Sequence, residues 1–138
     1  MDAITHSLSG LLSFAIYFAV SMALLIAFKF IYSLITPHDE WKLVKDEQNQ
    51  AAAIGFVGAI IGFALAVASA ASNSVSLVDF VIWGVVALIA QVFAFLLVRF
   101  MFMPRIVQRI TDNEISAGIM LGGISVAVGL LNAACMTY

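Results

Sequence analysis

Three uncharged polar side chains lie inside otherwise apolar runs, and they are the first candidates for chemistry. Gln91 lies near the middle of the run that begins at Leu77, and Ser125 and Asn132 lie in the run that begins at Ile115. In hydrocarbon, amides and hydroxyls find partners across helix contacts, and several converging polar groups mark a pathway. The sequence predicts structural hydrogen bonding by these side chains, with a conduction or substrate site as the alternative.

The titratable and nucleophilic side chains do not form a pattern that catalysis or metal binding requires. The two histidines, His6 and His38, fall on opposite sides of the first apolar run, so we expect them on opposite membrane faces. The single cysteine, Cys135, is expected to be a buried, inert thiol, with an intermolecular disulfide as the alternative. The sequence has no metal-ligand spacing, glycine-rich phosphate loop or nucleophile motif. It predicts a protein with no metal, no cofactor and no enzymatic activity.

Composition places the chain among integral membrane proteins. Of its 138 residues, 64% are hydrophobic and 10% are charged, and the mean hydropathy is +1.12. Soluble domains average about 45–50% apolar and about 25% charged residues, so this chain has too little polar surface to cover a soluble fold. The net charge of −2 excludes a basic surface for nucleic acid. The lipid bilayer is the first predicted partner.

Four apolar runs are long enough to cross a bilayer, whose hydrocarbon core of about 30 Å needs about 20 helical residues. Backbone polar groups cannot stay unpaired in lipid, and strand-like alternation is absent, so these runs must be helices. The predicted fold class is an all-α integral membrane protein, with residues 1–138 as a single membrane domain. The spans are predicted at 8–35, 50–71, 77–103 and 115–136, with joints at 37–49, 72–76 and 104–114.

Every lysine and arginine falls at one predicted membrane face. Two lie in the last turns of the first and third spans, and four lie in the joints that follow: Lys29 and Arg99, then Lys42, Lys45, Arg105 and Arg109. Short cytoplasmic loops collect basic residues. We therefore expect a multi-pass protein with both termini outside the cytoplasm.

The two halves of the chain, residues 8–71 and 77–137, resemble each other. Gly58 matches Gly123 at a fixed offset, and a proline follows the first helix of each half, Pro37 or Pro104. We interpret the halves as two copies of one helical hairpin, with chance similarity between small-residue helices as the alternative. Each copy has an even number of spans, so the repeat would be parallel, unlike the inverted repeats of many secondary transporters.

Small residues recur at three- and four-residue spacing on the second and fourth spans. Such stripes let helix backbones approach closely in lipid. We predict a helix-packing face within the chain, with an oligomer face or a pore as the alternative, and we expect the bulkier first and third spans to face lipid more. The stripes consist of Gly58, Gly62, Ala66 and Ala70, and of Gly118, Gly122, Ser125, Gly129 and Asn132.

Helix-start signals flank three of the spans. Ser76 with Asp79 predicts a capping box for the third span, and Thr111 with Glu114 predicts one for the fourth. A short surface helix is expected with Pro37 at its first position. The acidic residues before the second and fourth spans are interpreted as caps and ion pairs, with a cation-binding vestibule as the alternative.

Two stretches are distinctive enough to compare with known families. They are residues 49–70, which begin Asn-Gln-Ala-Ala-Ala-Ile, and residues 129–137, Gly-Leu-Leu-Asn-Ala-Ala-Cys-Met-Thr. Both resemble the YjfL-like family of small bacterial inner-membrane proteins. The resemblance implies four spans in two similar halves and a place in the bacterial inner membrane, so both termini would be periplasmic. It implies no activity and no site residues, and it associates family members with envelope-stress or membrane-remodelling proteins.

These observations favour a non-enzymatic membrane module whose function is association. Its partners would be a second copy in a homo-oligomer, or a membrane or cytoplasmic protein. The small-residue stripes, the short joints and the lack of converging ionisable groups support this interpretation. The alternative is a small oligomeric channel or transporter for an ion or small solute, lined by Gln91, Ser125 and Asn132.

Overall fold

The computed structural model describes residues 2–36 and 40–136, apart from the side chains of Glu40 and Trp41. These residues form six α-helices and no strand. Four of the helices are long and apolar enough to cross a membrane, which confirms the predicted all-α class with four spans. The helices are α1 (Asp2–Ile35), α2 (Glu40–Lys45), α3 (Gln50–Asn73), α4 (Leu77–Leu97), α5 (Ile106–Thr111) and α6 (Ile115–Cys135).

The six lysines and arginines lie at one end of the bundle, which we name the basic end. At the opposite end α1 begins and α6 ends, and we name it the terminal end. At the basic end a π-helical turn over 98–102 extends α4, and the Met103 N–H donates to the Val98 carbonyl at 2.7 Å. Pro104 follows and cannot continue the helix, because it has no N–H. The start predicted at Pro37 lies outside the described residues, and the surface helix there is described from Glu40.

The central helix of the bundle is α3. Over the most apolar part of each span, 56% of the residues of α3 are buried, compared with 39% in α4, 28% in α6 and 6% in α1. The expectation that the fourth span is more buried than the third is therefore wrong. The reason is that α4 covers one side of the α3–α6 pair with buried rings such as Phe80 and Phe95, whereas Ile119 and Leu131 of α6 stay exposed.

Aromatic rings hold the second half of α1 against α3 and α4. Phe28 stacks on Phe63 of α3, with ring centroids 4.6 Å apart. Tyr32 meets the edge of Phe95 of α4 at 5.8 Å. Such pairs contribute about 0.5–1.5 kcal/mol each beyond the burial of their area, so these contacts fix where α1 joins the bundle.

The first half of α1 is exposed. Each residue from Asp2 to Ile16 is exposed, and a Cβ built on Gly10 would meet no neighbouring atom within 4 Å. Tyr17 then stacks on Phe80, near the start of α4, with ring centroids 5.3 Å apart. The bundle therefore covers α1 only from about its second half onward.

Two similar connectors join the long helices at the basic end. Each has a six-residue helix, α2 or α5, followed by a residue in the left-handed region and an extended N-cap residue. Gln48 and Asn113 have φ values of 51° and 61°, and the N-cap residues Asn49 and Glu114 have φ values of −76° and −79°. This similarity supports the parallel repeat, which stays a prediction.

The residue pairing of the proposed repeat is less regular than its connectors. Gly58 of α3 packs against the backbone of α6, whereas Gly123, its match in the second half, has no neighbour within 4 Å of an added Cβ. The two halves therefore present different faces of their glycine-rich helices to the bundle.

Half of the capping box predicted for the third span is formed, and the return bond of Asp79 goes to the residue before the N-cap. The Ser76 Oγ accepts from the Asp79 N–H at 3.1 Å, which confirms the N-cap of α4, and the Asp79 carboxylate accepts from the Val75 N–H at 3.0 Å. The box predicted for the fourth span is wrong. Thr111 is the last residue of α5, and Glu114, the N-cap residue of α6, makes no side-chain capping bond.

Candidate functional site

The predicted stripes of α3 and α6 face each other. A Cβ on Gly58 would lie 2.5 Å from the carbonyl oxygen of Gly122 and 2.7 Å from its carbonyl carbon. Real side chains do not approach backbone atoms this closely, so the two helix backbones are in direct contact. The contacts along the interface are Gly58 with Gly122, Gly118 with Ala51, and Gly62 with Ser125 and Gly129.

The α3–α6 contact uses both stripes inside one chain. The third residue of the α3 stripe, Ala66, is also fully buried. A second copy would therefore need a different surface. Of the predicted face, the structure brings together Gly58, Gly62, Gly118, Gly122 and Gly129, and it buries Ala66.

Two asparagines form hydrogen bonds between the two halves of the chain at the basic end of the α3–α6 pair. These bonds were not predicted from the sequence. The Asn49 side chain accepts from the Ala52 N–H at 2.9 Å and donates to the Ile110 carbonyl at 2.8 Å. Asn113 accepts from the Ala51 N–H at 3.0 Å. The available signal was an asparagine one residue before the second apolar run and another two residues before the fourth. The bonding partners of these asparagines, however, lie about sixty residues away in the other half.

Gln91 of α4 reaches the α3–α6 interface in the middle of the bundle. Its side chain is fully buried, and its Nε2 lies 2.9 Å from the point that a Cβ of Gly62 would occupy. Ser125 is also fully buried, and its carbonyl oxygen borders the same point. Both polar atoms of the Gln91 amide and the Ser125 hydroxyl lack a hydrogen-bond partner among the described residues. Two of the three predicted polar residues thus converge where three helices meet.

Asn132 lies apart from that pair. It follows Ser125 by two turns of α6, about 10 Å along the helix axis, and it is half-buried with its Nδ2 unpartnered among the described residues. In the same region the Ser69 hydroxyl of α3 donates to the Ala133 carbonyl at 2.8 Å. The polar groups of α6 therefore occupy two levels and do not form one site.

The chemistry of the Gln91–Ser125 pair is that of neutral hydrogen-bonding groups. An amide and a hydroxyl donate and accept hydrogen bonds but do not titrate near neutral pH. A buried amide without a partner costs about 1–3 kcal/mol. The pair can order neighbouring helices or hold a small neutral molecule, and it has no group that exchanges protons.

Charged groups and the thiol lie at the surface. Arg109 Nε and Glu114 Oε1 are 3.4 Å apart and both side chains are partly exposed, so the pair contributes about 0–1 kcal/mol. Within residues 2–36 and 40–136, no three His, Cys, Asp or Glu side chains gather to hold a metal ion. Cys135 is exposed, so the expectation of a buried thiol is wrong. It is the last residue of α6, and no element among the described residues covers it.

Comparisons with known proteins find relatives that are named as membrane proteins. A family model described as a domain of unknown function, DUF350, matches residues 6–136. The chain is 43% identical over 133 residues to the UPF0719 inner membrane protein YjfL of Escherichia coli K12, which covers 96% of this chain and 99% of the relative. It is 27% identical over 126 residues to the UPF0719 transmembrane protein YshE of Bacillus subtilis 168, covering 90% and 92%. No solved structure gives a significant match. The match over nearly the whole chain confirms the resemblance found in the sequence, and the chain belongs to the DUF350 family of membrane proteins.

Proposed function

We propose that the chain is a non-enzymatic module of the bacterial inner membrane that acts by self-association as a homo-oligomer, with both termini periplasmic. The observation that carries the proposal is the exposure of α1. Only 6% of the most apolar part of this span is buried, and each of residues 2–16 is exposed. The other three spans, by contrast, cover one another.

An uncovered small-residue stripe on α1 supports self-association inside the membrane. Ala15, Ala19 and Ala23 recur at four-residue spacing, and all three are exposed. At 3.6 residues per turn, Ala19 lies on the side opposite Leu24 and Phe28, through which α1 packs on the bundle. Stripes of this kind allow helices to associate in lipid without a hydrophobic driving force. Small-residue stripes also join α3 to α6 within the chain, so those two stripes are not available to a second copy.

The charge distribution supports the proposed orientation. All six lysines and arginines lie at the basic end, and basic residues collect on the cytoplasmic side of short loops. The exposed first half of α1 would then stand on the periplasmic side. The proposal also includes a membrane or cytoplasmic protein partner that binds the assembled homo-oligomer. The association with envelope stress that the family resemblance implies would likewise follow from assembly.

A non-enzymatic role is supported by the groups that are buried. Gln91 and Ser125 are neutral and fully enclosed within one chain, so they reach neither a substrate in solution nor a symmetry axis between copies. These two residues therefore do not support the lining of a channel, and we propose no second function.

Step-counting photobleaching of chains in native nanodiscs tests the proposal. Chains that carry one fluorophore each are extracted with their surrounding lipid, and we expect two or more bleaching steps for most particles. Ala19→Leu should shift particles to a single step because a bulky side chain separates the helices. Ala127→Leu, at an exposed position of α6, is the matched control and should leave the step number unchanged. Single-step bleaching of the unaltered chain at all surface densities would refute self-association.

A further inference from the structure

Resting on the proposed function, we infer that the first half of α1 forms a parallel coiled coil with the same segment of a second copy, which begins beyond the ends of the other spans and continues alongside them. The surface involved, which we name the outer stripe, is one line of residues along α1. It consists of Ile4, Leu8, Leu11, Ala15, Phe18 and Met22.

The first half of α1 projects past the rest of the bundle. At 1.5 Å per residue, the 34 residues of α1 extend about 51 Å, whereas the 24 residues of α3 and the 21 of α6 extend about 36 Å and about 31 Å. The shorter helices alone cross a hydrocarbon core of about 30 Å. Tyr17 stacks on Phe80, the fourth residue of α4. Residues 2–16 therefore extend about 22 Å past Phe80, and about 18 Å past the start of α4.

The outer stripe has the spacing of a coiled-coil core. Its members follow one another at intervals of four, three, four, three and four residues, which is the alternation of the a and d positions in a heptad. Ile4, Leu8 and Leu11 are 64%, 61% and 62% exposed. Three large aliphatic side chains are thus lined up on a segment that no described part of the chain covers.

The opposite side of the projecting segment is polar. Ser9 and Ser13 recur at an interval of four and lie across the helix from Leu11. A helix that only contacts lipid is apolar all round, whereas a polar face opposite an apolar stripe is typical of a helix half in water. The projecting part of the outer stripe, which contains Ile4, Leu8 and Leu11, therefore needs a cover other than lipid tails.

A second copy fits the outer stripe better than any other occupant. All copies have the same orientation in the membrane, so their first helices are already parallel, and an isologous contact brings equal positions together. From Ala3 to Phe28 the helix has no Lys, Arg, Asp or Glu to repel its counterpart. Phe18 and Met22 carry the outer stripe past Tyr17, so the contact continues into the membrane. Burying the outer stripe of both copies would remove on the order of 1,000 Å² of apolar surface, near the size that specific association needs.

Cysteine scanning in membranes tests the inference directly. Cys135→Ser provides a background without cysteine, and single cysteines are then introduced by Leu8→Cys, Leu11→Cys, Ser9→Cys or Ser13→Cys. A disulfide requires Cα atoms about 4.4–6.8 Å apart, so only positions that face their own counterpart across the pair will crosslink. After mild oxidation we expect several-fold more covalent dimer from positions 8 and 11 than from the control positions 9 and 13.

Each outcome decides the inference. Periodic crosslinking at 8 and 11 supports the coiled coil. The inference is overturned by equal or greater crosslinking at 9 and 13, or by the absence of dimer at all four positions. If photobleaching of the unaltered chain then still gives two or more steps, the proposed self-association stands and uses another surface. Single-step bleaching refutes both. As a second variant, the double change Leu8→Glu with Leu11→Glu alters no contact within the chain and should reduce the multi-step fraction several-fold.

Discussion

The contact between α3 and α6 predicts opposite effects for the same substitution at two glycines. In Gly58→Ala the added methyl group would lie 2.5 Å from the Gly122 carbonyl oxygen and 2.7 Å from its carbonyl carbon. In Gly123→Ala the methyl group would have no neighbour within 4 Å. Both residues lie inside helices with ordinary φ values, so the two changes differ in packing and not in backbone strain.

The expected magnitudes follow from two opposing terms. Replacing a mid-helix glycine by alanine stabilises the helix by about 0.5–1 kcal/mol, because the unfolded chain loses conformational freedom. Overpacking a well-filled contact costs about 1–3 kcal/mol. The atoms that the new methyl group meets at Gly58 are backbone, so they cannot rotate away and the whole interface must open. Gly123→Ala should therefore gain about 0.5–1 kcal/mol, and Gly58→Ala should lose about 1–2 kcal/mol net.

Reversible unfolding in mixed micelles, followed by tryptophan fluorescence, measures the difference. The free energy of unfolding of the two variants is compared with that of the unaltered chain under the same lipid and detergent ratio. We expect Gly58→Ala to be the least stable and Gly123→Ala the most stable of the three. If Gly58→Ala is as stable as Gly123→Ala or more stable, the helices do not meet through their backbones and the reasoning fails.

Three further changes test other parts of the structure by the same unfolding measurement. Gln91→Leu should leave stability unchanged or raise it by up to about 2 kcal/mol, because it removes a buried amide without a partner; a loss above about 1 kcal/mol would contradict this. Asn49→Ala should lose about 2–3 kcal/mol, since it removes an N-cap and leaves the Ile110 carbonyl unpaired, whereas the exposed control Asn73→Ala should lose less than about 0.5 kcal/mol. Ser76→Ala should lose about 1 kcal/mol through its N-cap bond, and no loss would show that this cap is not formed.

The spans could be predicted from sequence because length and hydrophobicity alone decide them. A bilayer demands about 20 apolar helical residues, and the predicted boundary at Leu77 agrees with the structure. The N-cap at Ser76 could also be predicted, because the Ser76 hydroxyl and the Asp79 N–H that bonds to it are only three residues apart. The start of α1 at Asp2, six residues before the predicted run, was missed because polar residues outside hydrocarbon give no apolar signal.

The arrangement of the helices could not be predicted, because it depends on which faces meet. The small-residue stripes indicated close packing, but nothing in their spacing distinguishes a contact within the chain from one between copies. The greater burial of α4 than of α6 follows from its position beside the α3–α6 pair. The bond from Asn49 to the Ile110 carbonyl joins residues 61 positions apart, which no local pattern can reveal.

Dipolar spectroscopy between spin labels tests self-association through α1 most directly. In the Cys135→Ser background, Leu11→Cys carries one nitroxide per chain, so any dipolar signal in liposomes arises between copies. Helix axes in a packed pair lie about 8–10 Å apart, and with the label arms we expect a narrow distance distribution below about 30 Å. A featureless decay equal to that of randomly dispersed chains would contradict self-association through this helix.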